Sequence, residues 1–94
     1  MTDTTVRPIS PEIRDDVLLR LRRIEGQVRG IQRMVEEGRD CRNIVHQIAA
    51  IKAALTSASC EVLECYTRNC LKDASQTNEE IASELIDVIH KSAR

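Results

Sequence analysis

Between Val17 and Val62 the aliphatic residues return in a rhythm of four and three that suits helices packed along their length. Val17, Leu21, Ile24, Val28, Ile31 and Val35 form one such seam, and Ile44, Ile48, Ile51, Leu55, Ala58 and Val62 form a second. A stripe this narrow is the signature of a coiled coil or a helix bundle. The boundaries are written beside the seams. Ser10-Pro11-Glu12 offers an N-cap, a proline at the first helical position and an acid at the positive end of the dipole. Gly38 is a natural stop and Asp40 stands where a second cap belongs, with no Gly or Pro after Gly38. Thr77-Asn78-Glu79-Glu80 reads as a capping box that opens a third helix, whose face is Ile81, Leu85, Val88 and Ile89. The expected fold class is all-α: a disordered tail over residues 1–9, then one domain over residues 10–94 with helices at about 11–37, 41–72 and 78–91.

Composition says what those helices need. Tyr66 is the single aromatic residue of the 94, so the large faces that anchor small cores are missing. A second helix of this length spans roughly 50 Å. One chain cannot cover such a seam all round, and a dimer with a four-helix core is the minimum assembly expected. Gly26 and Gly30 share a face of the first helix where another backbone has room to approach. No run approaches the ~20 apolar residues of a membrane span, and the first residues lack the pattern of a secretory signal, so a cytoplasmic protein is expected.

The net charge of −1 conceals an uneven distribution. Between Arg20 and Arg33 five arginines (Arg20, Arg22, Arg23, Arg29 and Arg33) stand against one acid, Glu25, whereas acids prevail from Glu61 onward. A local basic field of this kind is either a solvated face or a surface for a polyanion.

Cys41, Cys60, Cys65 and Cys70 contain no Cys-x-x-Cys pair, which removes zinc-ribbon and thioredoxin readings. In a reducing cytosol the thiols serve metal binding, sulfur chemistry or packing. Cys41 and Cys70 lie 29 residues apart on one helix. At 3.6 residues per turn they share a face, yet stand ~40 Å apart along the axis. They meet only if the second helix packs antiparallel to its symmetry mate, giving a two-fold dimer with one site at each end. Cys41 sits in the first helical turn, where negative charge is favoured, between Arg39 and Arg42. Tyr66 shares the face of Cys70, while Cys60 points away and Cys65 lies at the seam edge; both are read as ancillary. His46 and His90 are read as solvated rather than as ligands.

The run Arg20-Leu-Arg-Arg-Ile-Glu-Gly-Gln-Val-Arg-Gly-Ile31, with Glu36-Glu-Gly-Arg-Asp-Cys41 and Gln47-Ile-Ala-Ala50, resembles the CsoR/RcnR family of bacterial repressors. These respond to copper, nickel, formaldehyde or sulfane sulfur. The resemblance implies a disc-like homotetramer, a dimer of antiparallel dimers, that binds operator DNA without a helix-turn-helix and holds its inducer between subunits. With DNA as the polyanion, the arginines of the first helix become the surface for its phosphates, with Arg20, Arg22, Arg29 and Arg33 the main candidates. Copper sensors of the family use Cys, His and Cys. Cys41 and Cys70 match the cysteines, but Tyr66 stands where the His belongs, and Glu84 aligns across a gap with an acid that supports the ligands. Keeping both thiols while losing the His resembles the persulfide-sensing, CstR-like branch. The resulting expectation is a repressor with no metal or other cofactor, released from its operator when persulfide or polysulfide links Cys41 to Cys70 of the partner subunit. The alternative is a Cu(I) sensor using Cys41 and Cys70, alone or with Cys65. A cysteine enzyme is set aside because no His or carboxylate base stands beside either thiol in the sequence, and a purely structural helical oligomer leaves the aligned thiols and the arginines incidental.

Overall fold

The computed structural model describes residues 6–92, which form three helices: α1 (Pro11–Glu36), α2 (Cys41–Lys72) and α3 (Asn78–Ser92). α1 lies antiparallel along α2, and α3 packs on the C-terminal half of α2. The molecule measures 55 × 26 × 20 Å, so α2 sets its length.

Each boundary has a local cause. α1 ends one residue short of the expected Glu37, in a Schellman motif: the Gly38 amide donates to the Val35 carbonyl and the Arg39 amide to that of Met34. Gly38 supplies the left-handed φ of +67° that the motif requires. The capping box of α3 is complete. The Thr77 amide donates to Glu80 Oε1 at 2.8 Å, and the Glu80 amide donates to Thr77 Oγ1 at 3.2 Å. Ser10 and Asp40 stand at the N-cap positions, but neither side chain makes a capping hydrogen bond. Ser10 is engaged with Cys65 instead, its hydroxyl receiving the thiol at 3.8 Å.

The core of the single chain is thin. Val17 and Ile24 of α1, Ala58, Cys65 and Cys70 of α2, and Ile81 of α3 are its buried members. Much of the remaining seam is left open: Leu21, Val28, Val35, Ile48, Leu55 and Val62 are all at least 39% exposed, while Ile31, Ile44 and Ile51 are half-buried. Val17, Leu21, Leu55, Ala58, Val62 and Val88 line an apolar groove of about 400 Å³ between the helices. Gly26 and Gly30 face open space within the chain, so no neighbouring backbone uses the room they leave. No helix among the described residues is long and apolar enough to cross a membrane.

The expected disordered tail needs correcting over part of its length. Residues 1–5 lie outside the described residues. Residues 6–10 run back along α2 as an arm, and Arg7 within it is held on all sides, its side chain 7% exposed. Three long-range polar contacts spell out the path. Ser10 meets Cys65, the Pro8 carbonyl receives Asn69 Nδ2 at 2.9 Å, and Arg7 meets Asp73. Cys65 and Asn69 are four apart on one stripe of α2, and Asp73, the residue that caps the helix, comes four further on.

Candidate sensor site at the C-terminal end of α2

Helical geometry puts Tyr66 and Cys70 one turn apart on α2, and α3 brings Glu84 across to them. Glu84 Oε2 accepts the Cys70 thiol at 3.3 Å and the Tyr66 hydroxyl. Arg7 grips both oxygens of the same carboxylate, with Nε to Oε2 and Nη2 to Oε1 at 3.0 Å each. Its Nη1 reaches Asp73 at 2.8 Å and Nη2 also meets the Gln76 side chain. The fork geometry of a guanidinium suits this task, since one group serves three acceptors at fixed angles.

This arrangement sets the charges. The Arg7 hydrogen bond holds Glu84 down at about 2, against the lifting effect of burial and with help from Tyr66 and Cys70. Burial first, then the Glu84 carboxylate, pushes the Cys70 thiol up from its ordinary 9.0. The same two causes push the Tyr66 phenol up. The resting site therefore holds a thiol and a phenol, both donating to one carboxylate, with Arg7 balancing its charge. Cys70 is the most enclosed side chain described, at 0% exposure.

Cys41 lies at the opposite end of α2 and is exposed. The 29 residues between them keep the two thiols ~40 Å apart within one chain. Cys65 is buried but faces the arm: the Ser10 amide and Asn69 Nδ2 both point to its sulfur. Its setting is thus separate from the Glu84 cluster, and Cys60 is exposed. Among the described residues no three His, Cys, Asp or Glu side chains converge as a metal-binding group.

The α1 arginines differ in freedom. Arg20 is tied to Asp16 at 3.0 Å and to Glu61 of α2 at 3.1 Å. A hydrogen bond with Asp16, together with burial, pushes the Glu61 carboxyl up, while Glu61 and Arg20 hold Asp16 down. Arg29 is 73% exposed and only 3.9 Å from Glu25, a loose pair. Arg22 and Arg33 are exposed.

Arg7 was missed in the sequence because a residue in a short segment before a helix carries no periodicity, and its partners lie 66 to 77 positions away. Glu84 was reached through the family resemblance; its place on α3 brings it to Tyr66 and Cys70.

Comparison with known proteins gives these features a context. A family model described as metal-sensitive transcriptional repressor matches residues 13–91. The copper-sensing transcriptional repressor CsoR of Bacillus subtilis is 44% identical over 89 residues, covering 93% of this chain and 88% of the relative. The copper-sensing repressor CsoR of Geobacillus thermodenitrificans, solved with Cu(I), superposes with a TM-score of 0.79 at 38% identity over the full length of both chains. A variant of the formaldehyde-responsive regulator FrmR from Salmonella enterica superposes at 0.74 with 32% identity, covering 92% of this chain and 97% of that one. These matches correct the expectation of a protein without a metal: two of these relatives are copper sensors, and one was solved with Cu(I). The persulfide-sensing branch gains no support from them. On the match across residues 13–91 and the likeness to CsoR, this chain belongs to the family of metal-sensitive transcriptional repressors.

Proposed function

We propose that this protein is an oligomeric, cytoplasmic repressor that binds operator DNA and lets it go when Cu(I) is held between subunits by Cys41 and Cys70. The observation that carries the choice of inducer is the full-length likeness to a repressor solved with Cu(I). The donor chemistry fits. Two thiolates suit a soft monovalent ion. Tyr66 is kept as a phenol, and the Glu84 carboxylate is occupied by Arg7. Bound Cu(I) would supply a bond between two thiolates, and hence a link between two helices.

The residues of the chain do the rest. The open seam along Leu21, Val28, Leu55 and Val62 is the face on which a second copy packs, with α2 antiparallel to its mate so that each Cys41 reaches the other chain's Cys70. Two such dimers make the tetramer. Cys70 must surrender its proton to bind, so the hydrogen bond to Glu84 is lost and the packing of α3 on α2 shifts. Arg22, Arg29 and Arg33 meet DNA phosphates, and Arg20 joins them only by exchanging Asp16 and Glu61 for phosphate.

A second reading has its own observation. Tyr66 donates to Glu84 beside Cys70, and the family resemblance puts this phenol where copper sensors carry a His, which favours sulfur chemistry at the same thiol pair. In that case persulfide or polysulfide links Cys41 to Cys70 of the partner subunit and releases the DNA.

One experiment separates the two. Reduced protein on its promoter DNA is titrated anaerobically with Cu(I), and in parallel with polysulfide, while anisotropy follows release. Cu(I) is expected to release the DNA at one ion per chain. Release by polysulfide alone, with a covalent dimer on non-reducing gels, overturns the copper assignment in favour of the sulfur reading.

A further inference from the structure

Of Arg20, Arg22, Arg29 and Arg33, only Arg20 is paired to a second helix among the described residues. Its Nε lies 3.0 Å from Asp16 Oδ2, one turn earlier on α1, and 3.1 Å from Glu61 Oε1 on α2. A guanidinium Nε carries a single hydrogen, and here it goes to Asp16. Glu61 Oε1 is buried and, among the described residues, has no hydrogen-bond partner of its own. Two carboxylates therefore share one cation, and negative charge is in excess whenever both are ionised. The neighbouring charges are Arg23 on α1, which favours the ionised Asp16, and Glu64 on α2, which opposes a charge on Glu61.

Like charges this close settle by sharing a proton. The contact with Asp16, and then burial, raises the Glu61 carboxyl, whereas Glu61 and Arg20 hold Asp16 down. A DNA phosphate offers Arg20 what these carboxylates give it, an anionic oxygen in reach of a planar fork. When a phosphate takes the arginine, the pair loses its cation and gains a further negative charge beside it. Both changes raise the carboxyl that is already raised.

We propose that Asp16 and Glu61 compete with DNA for Arg20, and that the pair takes up one proton from solvent when a phosphate wins. Operator affinity then rises as pH falls, because the DNA-bound form holds more protons than the free one. At higher pH the ionised pair keeps Arg20, and Arg22, Arg29 and Arg33 carry the DNA alone. Asp16 and Glu61 are positioning residues in this scheme, since they act on DNA only through Arg20. The proposal rests on the reading that Arg20 faces DNA, and a separate variant tests that reading.

Anisotropy of the full-length reduced protein on its promoter DNA, without inducer, gives affinity against pH and against salt. Groups that titrate elsewhere are common to the parent and the variants, so the difference between their profiles is the readout. Glu61→Gln fixes the uncharged state of the pair. It should tighten binding at neutral pH by about 2- to 5-fold for each chain on the operator, the scale of an exposed ion pair. Its affinity should change less with pH than that of the parent. The slope of log affinity against log salt should steepen by up to about 0.9 per chain, one more phosphate neutralised. Asp16→Asn should act in the same direction and replaces Glu61→Gln should circular dichroism show the latter unfolded. Arg20→Ala should weaken binding and erase the effect of Glu61→Gln when the two are combined. Loss of affinity in Arg20→Ala, with Glu61→Gln either unchanged from the parent or weaker, overturns the competition and leaves Arg20 facing DNA. Equal tightening by Glu61→Gln with and without Arg20 also overturns it, since the acid would then act through its field alone. Parental binding in Arg20→Ala sinks both the reading of Arg20 and the competition for it.

Discussion

The two ends of α2 carry the same chemical group in opposite surroundings. At the N-terminal end Cys41 follows a Schellman turn and stands exposed, with Arg39 beside it spent on Glu37 at 3.1 Å. At the C-terminal end Cys70 is enclosed by Tyr66, Glu84 and the arm, and its proton is held by burial and by a carboxylate. The difference teaches that the half-sites are unequal by construction. One thiol is available to whatever arrives, and the other is committed only when its local hydrogen bonds are given up. The proposed two-fold dimer would pair an open end with a closed one, so each proposed site would combine one thiol of each kind.

The sharpest way to break this comparison is to remove the open thiol. Cys41→Ser should abolish release of DNA by Cu(I) while leaving DNA affinity and helix content unchanged, measured by anisotropy and circular dichroism. Retained release would mean that the closed end acts without the open one. Next in size, Tyr66→His supplies the closed end with the nitrogen it lacks. Cu(I) affinity, measured against a competing chelator, should rise by about 10- to 100-fold, the range by which the surroundings of a metal site tune it. No change would mean that the position does not face the site.

Acid should loosen the closed end selectively. Glu84 sits at about 2 instead of its ordinary 4.5, so the unfolded chain binds its proton more readily than the folded one. The stability it contributes is full above pH 4.5 and is lost as pH falls from there to about 2. Glu84→Gln and Arg7→Ala should each flatten that part of the stability profile in denaturant titrations. An unaltered slope in both would show that the clasp does not form in solution. A smaller effect is expected at the start of α3: Thr77→Ala removes one half of the capping box and should cost about 1 kcal/mol, read as a shift in the denaturation midpoint.

The open end, the helices and the capping box were legible because their causes are local. Periodic aliphatics name a helix, Gly38 supplies the φ that ends α1, and Thr77 meets Glu80 three residues on. The closed end was legible only in outline. Spacing aligned Cys41 with Cys70, and resemblance pointed to Tyr66 and Glu84, but the clasp depends on contacts across the whole chain. Arg7 joins Glu84 from 77 positions away, and no pattern in a five-residue arm announces that. Ser10 shows the same limit in reverse. It has the residue type and place of an N-cap, yet tertiary contact with Cys65 takes its hydroxyl. Arg20 lies between the two cases, since Asp16 four residues earlier was readable as a partner and Glu61 on α2 was not.

The pairing of an open thiol with a closed one across two chains is tested most directly by mixing subunits. Cys41→Ser and Cys70→Ser chains, each alone, lack one thiol of every site and should bind no Cu(I) tightly. Unfolded together and refolded, a mixed dimer contains one site with both replacements and one site with both thiols. Chelator competition should then show Cu(I) binding restored in the mixture, with one restored site per mixed dimer. Binding absent from the mixture, or already present in either variant alone, would contradict a site built from Cys41 of one chain and Cys70 of the other.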